Sequence, residues 1–127
     1  MPRRACLLAA CVGVATGCGA KALYDWGPYE ESLQASYVTH DDATAWSALE
    51  ATIASAERAG HRVPPGVCAE YGFLLYKRGR RDAAIQYFER EARLFPESKP
   101  LMDRLVAKIR EQATSSAADV RPENGPR

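Results

Sequence analysis

The chain has 127 residues, room for one small domain rather than two. A hydrophobic content of 46% is enough for a core, and a formal charge of +1 lacks the basic balance of a nucleic-acid binder. Three of the four cysteines, Cys6, Cys11 and Cys18, lie in the first eighteen residues, apart from Cys68.

The N-terminus has the layout of an export signal. Arg3 and Arg4 form a positive region, Ala5–Ala15 is an uncharged apolar run, and small residues Ala15, Thr16 and Gly17 lead to Cys18. The apolar run is too short to span a membrane, which takes about 20 residues. The small-small-Gly-Cys ending resembles a bacterial lipobox. That resemblance implies a diacylglyceryl group on the Cys18 thiol, cleavage before Cys18 and acylation of the new amine, an anchor of several acyl chains. Gly19 stands where an Asp would signal retention in the inner membrane, which implies the periplasmic face of the outer membrane. Cleavage removes residues 1–17 with Arg3, Arg4, Cys6 and Cys11, and moves the net charge to the acidic side. With Cys18 lipidated, Cys68 has no disulfide partner.

Residues 18–27 read as a lipidated tether and residues 28–113 as a helical domain. Gly27-Pro28 with Glu30 and Glu31 starts a first helix, about Pro28 to Tyr37, with Tyr29, Leu33 and Tyr37 on one face. The aromatics Tyr24, Trp26 and Tyr29 have two readings: they pack beneath the helices, or Trp26 contacts a membrane interface or partner. Val38–Asp42 is a break in which Thr39, Asp41 and Asp42 can cap the next helix. That second helix runs to about Ala59 with the stripe Trp46, Leu49, Ile53 and Ala56, and Gly60 ends it.

Pro64-Pro65 opens a third helix, about Pro65–Arg78, whose inward face is Cys68, Tyr71, Gly72 and Leu75. Cys68 there reads as a small buried hydrophobe or a reactive thiol. Gly79 closes this helix. A fourth begins near Arg81 with the stripe Ala84, Ile85, Phe88, Ala92 and Phe95, and Pro96 stops it. Lys77, Arg78, Arg80 and Arg81 crowd the turn between helices three and four, as a solvated turn or as a docking patch for an acidic partner. A fifth helix starts around Pro100, capped by Ser98, with Leu101, Met102, Leu105 and Ile109 as its buried face. It is expected to fade after Gln112, leaving residues 114–127 disordered. The expected fold is all-α, about five helices in antiparallel pairs.

The stretch Ala69–Pro96 resembles a single tetratricopeptide repeat. A small residue, Gly72, is followed seven residues later by the turn glycine Gly79, then by Ala84, Phe88 and Pro96 in the spacing of that pattern. Leu75, Arg81 and Glu91 depart from it, and Glu91 falls where a small residue is expected. A lone repeat cannot bury its own face, so the flanking helices should stack on it. More of the chain, LYDWGPYEESL at Leu23–Leu33 and the run from Val63 to Leu105, resembles an uncharacterised family of small bacterial lipoproteins. Members are commonly encoded beside a lipoprotein similar to the curli-secretion pore. This resemblance implies a role in a pore-like outer-membrane assembly, with such a lipoprotein as partner.

Nothing in the sequence assembles catalytic chemistry. His40 and His61 both lie in connectors, without the spacing of a metal site, and there is no phosphate-binding loop or nucleophile motif. Acidic residues read as solvent-facing, as in Glu89-Arg90-Glu91. The sequence therefore predicts a binding protein without metal or cofactor, an accessory lipoprotein docking a helical surface on a partner. Candidate anchors are Trp26, Tyr71, Tyr76 and Tyr87, with Tyr71 equally placed for the core. The second reading is an envelope-maintenance binder of peptidoglycan or of lipoprotein-trafficking proteins.

Overall fold

The computed structural model describes residues 22–119, and the N-terminal signal with Cys18 lies outside them. The described residues form α1 (Tyr29–Gln34) running into a π-helical turn (Ala35–Thr39), α2 (Asp42–Arg58), α3 (Val67–Lys77), α4 (Arg81–Leu94), a 3₁₀ turn (Pro96–Ser98) and α5 (Lys99–Asp119). The fold is all-α with five helices, as the periodicity predicts. Each helix packs chiefly on its neighbours in the chain, so the molecule is a stack of α1, α2, α3, α4 and α5 in that order.

The chain enters through a bracket on α2. Asp25 accepts the Gly27 amide at 3.0 Å and the Ser55 hydroxyl at 2.5 Å. These bonds hold its carboxyl below the usual carboxylate range. Tyr24 bridges to Arg62, and its ring meets Trp26 at 6.1 Å and Phe95 at 6.4 Å. Trp26 in turn lies 5.3 Å from Tyr29. The packed reading of this aromatic cluster therefore holds, with Trp26 keeping an exposed edge.

The first helix differs from expectation. Its α-helical part ends at Gln34, and the backbone widens into the π-helical turn before His40 stops it in the left-handed region at φ 54°. The Asp41 amide reaches back to the Ala35 carbonyl at 2.8 Å. Asp41 then caps α2, accepting the amides of Ala43 and Thr44 at 3.0 and 3.1 Å and the Thr44 hydroxyl at 2.6 Å. Leu49, Ile53 and Ala56 are buried as the stripe predicts, together with Ala45, Ala48 and Thr52. The Gly60 amide bonds the Glu57 carbonyl at 3.1 Å and the His61 amide bonds Ala56 at 2.9 Å, closing α2 where expected.

Helices α3 and α4 form an antiparallel hairpin around Gly72, Gly79, Ala84 and Phe88. A β-carbon on Gly72 would lie 3.0 Å from Phe88 Cε1 and 3.3 Å from the Ala84 carbonyl oxygen, so any larger residue would push the Phe88 ring or the α4 backbone back by a few tenths of an ångström. The turn is a Schellman closure. Gly79 takes φ 74°, its amide bonds the Tyr76 carbonyl at 2.9 Å, and the Arg80 amide bonds Leu75 at 2.9 Å. Ala84 and Phe88 are fully buried in the hairpin, and Pro96 opens the 3₁₀ turn that follows it.

Three expectations are corrected. Glu91 is not on a solvent face: it is 1% exposed, and its Oε1 accepts the Gly66 amide at 2.7 Å. The segment Pro64-Pro65-Gly66 has no side chain able to cap α3. A carboxylate from α4 supplies the acceptor across the hairpin. Burial raises the Glu91 pKa, and the backbone amides of Gly66, Ala69 and Cys68 pull it partly back. Leu101, expected to be buried, is 57% exposed; the inward face of α5 is Met102, Val106 and Ile109, one residue round the helix. Finally, α5 does not fade after Gln112 but continues to Asp119. Over residues 114–116, Thr114 and Ser115 hydroxyls donate to the Glu111 carbonyl at 2.7 and 3.1 Å, and Ser116 to Gln112 at 2.9 Å. These hydroxyls find their acceptors on their own helix.

Candidate partner-binding surface

Helix α3 is the floor of an open groove. Glu70, Phe73, Leu74 and Lys77, at i, i+3, i+4 and i+7, present one of its faces. Tyr37 of the π-helical turn stands on one side of that face, and Leu101 and Leu105 of α5 on the other. Leu49, Phe88 and Met102 close the base, leaving a cavity of about 300 Å³. Three large apolar side chains here are unusually exposed: Tyr37 at 68%, Leu101 at 57% and Phe73 at 53%. These three stand together on a surface otherwise rich in charge.

Each exposed residue has a local cause. The widened turn after Gln34 swings Tyr37 outward, away from the stripe it was expected to share with Tyr29 and Leu33. Phe73 lies two residues past Tyr71, about 200° round α3, so burying Tyr71 forces Phe73 out. Leu101 follows from the rotation of α5 that buries Met102. Sequence reasoning passed over Phe73 because it falls off the inward stripe of α3. That mismatch, a large aromatic outside its helix's apolar face, was the available signal.

The groove's charged groups are few. Lys77 Nζ donates to both carboxylate oxygens of Asp42 at 2.8 and 2.7 Å, so these two neutralise each other. Glu70 accepts the Tyr29 hydroxyl at 2.8 Å. Burial raises the Glu70 pKa against the pull of that hydrogen bond, and pushes the Tyr29 phenol well above its ordinary range.

The four anchors proposed from sequence do not converge on this groove. Tyr71 is buried: it stacks between Trp46 and Tyr87, both at 4.7 Å, and donates to Glu50 at 2.6 Å. Of the two readings of Tyr71, the core one holds. Tyr87 closes that stack and lines a shallow recess beside Glu50 and Glu57. Tyr76 is half-buried and donates to Gln112 of α5 at 2.6 Å. Trp26 stands with the tether bracket. The cationic turn is likewise partly spent within the fold. Lys77 pairs with Asp42, and the Arg78 guanidinium sits 4.2 Å over the Trp46 ring and donates to the Asp42 carbonyl at 3.3 Å.

Cys68 is fully buried, and burial pushes its thiol up to about 11, so it stays protonated and unreactive at neutral pH. Among the described residues no three His, Cys, Asp or Glu side chains gather as a metal site would require. No described helix is long and apolar enough to cross a membrane.

Comparison with curated proteins and with solved structures gives no match. A family model does match, over residues 23–105, and its description is Domain of unknown function (DUF4810). The match starts at the aromatic bracket, takes in the whole α3–α4 hairpin and the groove, and ends at Leu105 on the groove's far wall. The chain therefore belongs to the DUF4810 family.

Proposed function

We propose that this protein is a lipid-anchored, non-catalytic scaffold that binds another protein of the bacterial envelope through the α3 groove. The observation that carries this reading is the exposed trio Tyr37, Phe73 and Leu101 around an apolar cavity. Its lining comes from five segments of the chain, and solvent exposure of these residues is costly unless a partner covers them. The lipobox resemblance at Cys18 supplies the anchor, and Gly19 supports the outer membrane. The spacing of Gly72, Gly79, Ala84, Phe88 and Pro96 supports a tetratricopeptide-like repeat, a fold class that presents such surfaces. The resemblance to lipoproteins encoded beside a curli-secretion-type pore makes that pore lipoprotein the leading partner, with assembly of an envelope complex as the role. Binding of peptidoglycan or of trafficking proteins is the alternative.

Two changes test the parts separately. Cys18→Ser removes the acyl anchor, so fatty-acid label is lost and the protein leaves the membrane fraction; retained label overturns the anchor. Phe73→Ala leaves the fold and the anchor alone and strips the groove's centre. Crosslinking and purification from the native envelope should then lose the pore lipoprotein recovered with the unaltered chain. Undiminished recovery rejects the groove as its docking site, and recovery of peptidoglycan or trafficking proteins in its place favours the alternative.

A further inference from the structure

We infer that the groove receives an amphipathic helix of the partner protein, with large apolar side chains seated around Phe73 and a lysine or arginine set against Glu70. The inference rests on the scaffold reading above and adds the chemistry of what binds.

Charge fixes the sign of the guest. The groove holds three charged side chains, Asp42, Glu70 and Lys77. Asp42 and Lys77 cancel at 2.7 Å. Among the described residues no lysine or arginine pairs with Glu70; its Oε1 takes only the neutral hydroxyl of Tyr29. What remains is an apolar trough with one uncompensated carboxylate, held in place by a phenol. An acidic guest would be repelled, and a purely apolar one would bury that carboxylate without a partner. A guest cation settles both, and excluding water strengthens the pair.

Backbone chemistry fixes the guest's form. Every wall of the groove is helical or a helical turn, with its amides and carbonyls already bonded within the helices. An extended peptide would find no strand edge to pair with and would lose its own backbone partners on burial. A helix carries its hydrogen bonds with it. The floor from Glu70 to Lys77 spans about two helical turns, which matches apolar anchors at i, i+4 and i+7 on an opposing helix.

The test places a photo-crosslinking residue at position 101 of the full chain in its native envelope, with Glu70 intact or replaced by Gln. Glutamine keeps the acceptor for Tyr29 and removes the charge. The expected product joins position 101 to a segment of another envelope protein whose helical repeat carries a Lys or Arg about one turn from its apolar anchors. Glu70→Gln should lower the yield roughly fivefold. Glu70→Lys combined with an acidic residue at the partner's cation should restore it. A guest segment without a cation, or a yield indifferent to Glu70→Gln, overturns this inference and leaves the scaffold reading standing. A crosslink confined to a second copy of the chain, or to its own first 21 residues, also overturns it in favour of those occupants. If neither position 101 nor position 73 crosslinks to any protein, both readings fall together.

Discussion

On one side of α3, Tyr71 is clamped between Trp46 and Tyr87, with its hydroxyl spent on Glu50. On the other side, two residues along, Phe73 stands about half exposed over an apolar trough. Both are aromatics on one short helix, yet one is finished and the other is not. On the Tyr71 side the central ring is buried with its hydroxyl paired, both neighbouring rings pack against it, and the Arg78 guanidinium lies over Trp46. The Phe73 side has rings and aliphatic chains that water still touches. Aromatic content alone does not identify a binding surface; what identifies it is whether the molecule has already satisfied the side chains.

The largest effect belongs to the residue beneath both faces. Phe88 fills the α3–α4 crossing and also closes the base of the groove. Phe88→Ala should cost about 3–5 kcal/mol in urea unfolding. A loss under about 1 kcal/mol would mean the hairpin is not the core that separates the two faces. Tyr71→Phe keeps the ring stack and deletes the bond to Glu50, which is itself exposed, so its cost should be about 1 kcal/mol. A much larger loss would show that the satisfied face depends on that one hydroxyl rather than on its stacking.

Glu91 gives a test by pH. Its carboxyl titrates above the ordinary 4.5 in the folded chain because burial penalises the charge. A raised folded pKa means that the native state binds more protons than the unfolded state between the two values. Glu91 therefore favours folding most below about pH 4.5, and this contribution is lost as pH rises through the folded pKa. Glu70 is shifted the same way. Asp25 and Asp41 are shifted downward and act below 3.8, outside this window. In melts from pH 4.5 to 7, Glu91→Gln should flatten the slope while keeping an acceptor for Gly66. An unchanged slope would assign the effect to Glu70. The smallest expected change in stability is that of Phe73→Ala, within about 0.5 kcal/mol, because the residue is about half exposed and alanine's higher helix propensity offsets part of the lost burial. A loss comparable to that of Tyr71→Phe would mean the groove face is packed after all, and the contrast between the faces would fail.

Much of this fold was legible from the chain itself. Periodicity placed all five helices, and Gly60, Gly79 and Pro96 marked real ends, because capping and chain breaking are local chemistry. Gly72 and Phe88 were legible as a crossing because their spacing has one steric meaning. What escaped depends on rotation and on distant partners. A shift of one residue round α5 exchanged Leu101 for Val106, which the apolar count of either face could not decide. Glu91 looked solvated among charged neighbours, since nothing nearby shows that an amide 25 residues earlier needs its carboxylate. The groove escaped for the same reason: Tyr37, Phe73 and Leu101 belong to three segments, and only packing brings them to one place.

The Glu91–Gly66 bond also bears on the order in which the chain becomes structured. As the protein is made, α3 emerges complete while the residue that closes its first turn has yet to be synthesised. Until Glu91 arrives, the amides at the start of α3 have only water, and an eleven-residue helix is marginal by itself. Stable formation of α3 is therefore expected to wait for α4, the two appearing together as one cooperative unit. A chain cut between residues 78 and 90 would carry every residue of α3 without the carboxylate that closes its first turn.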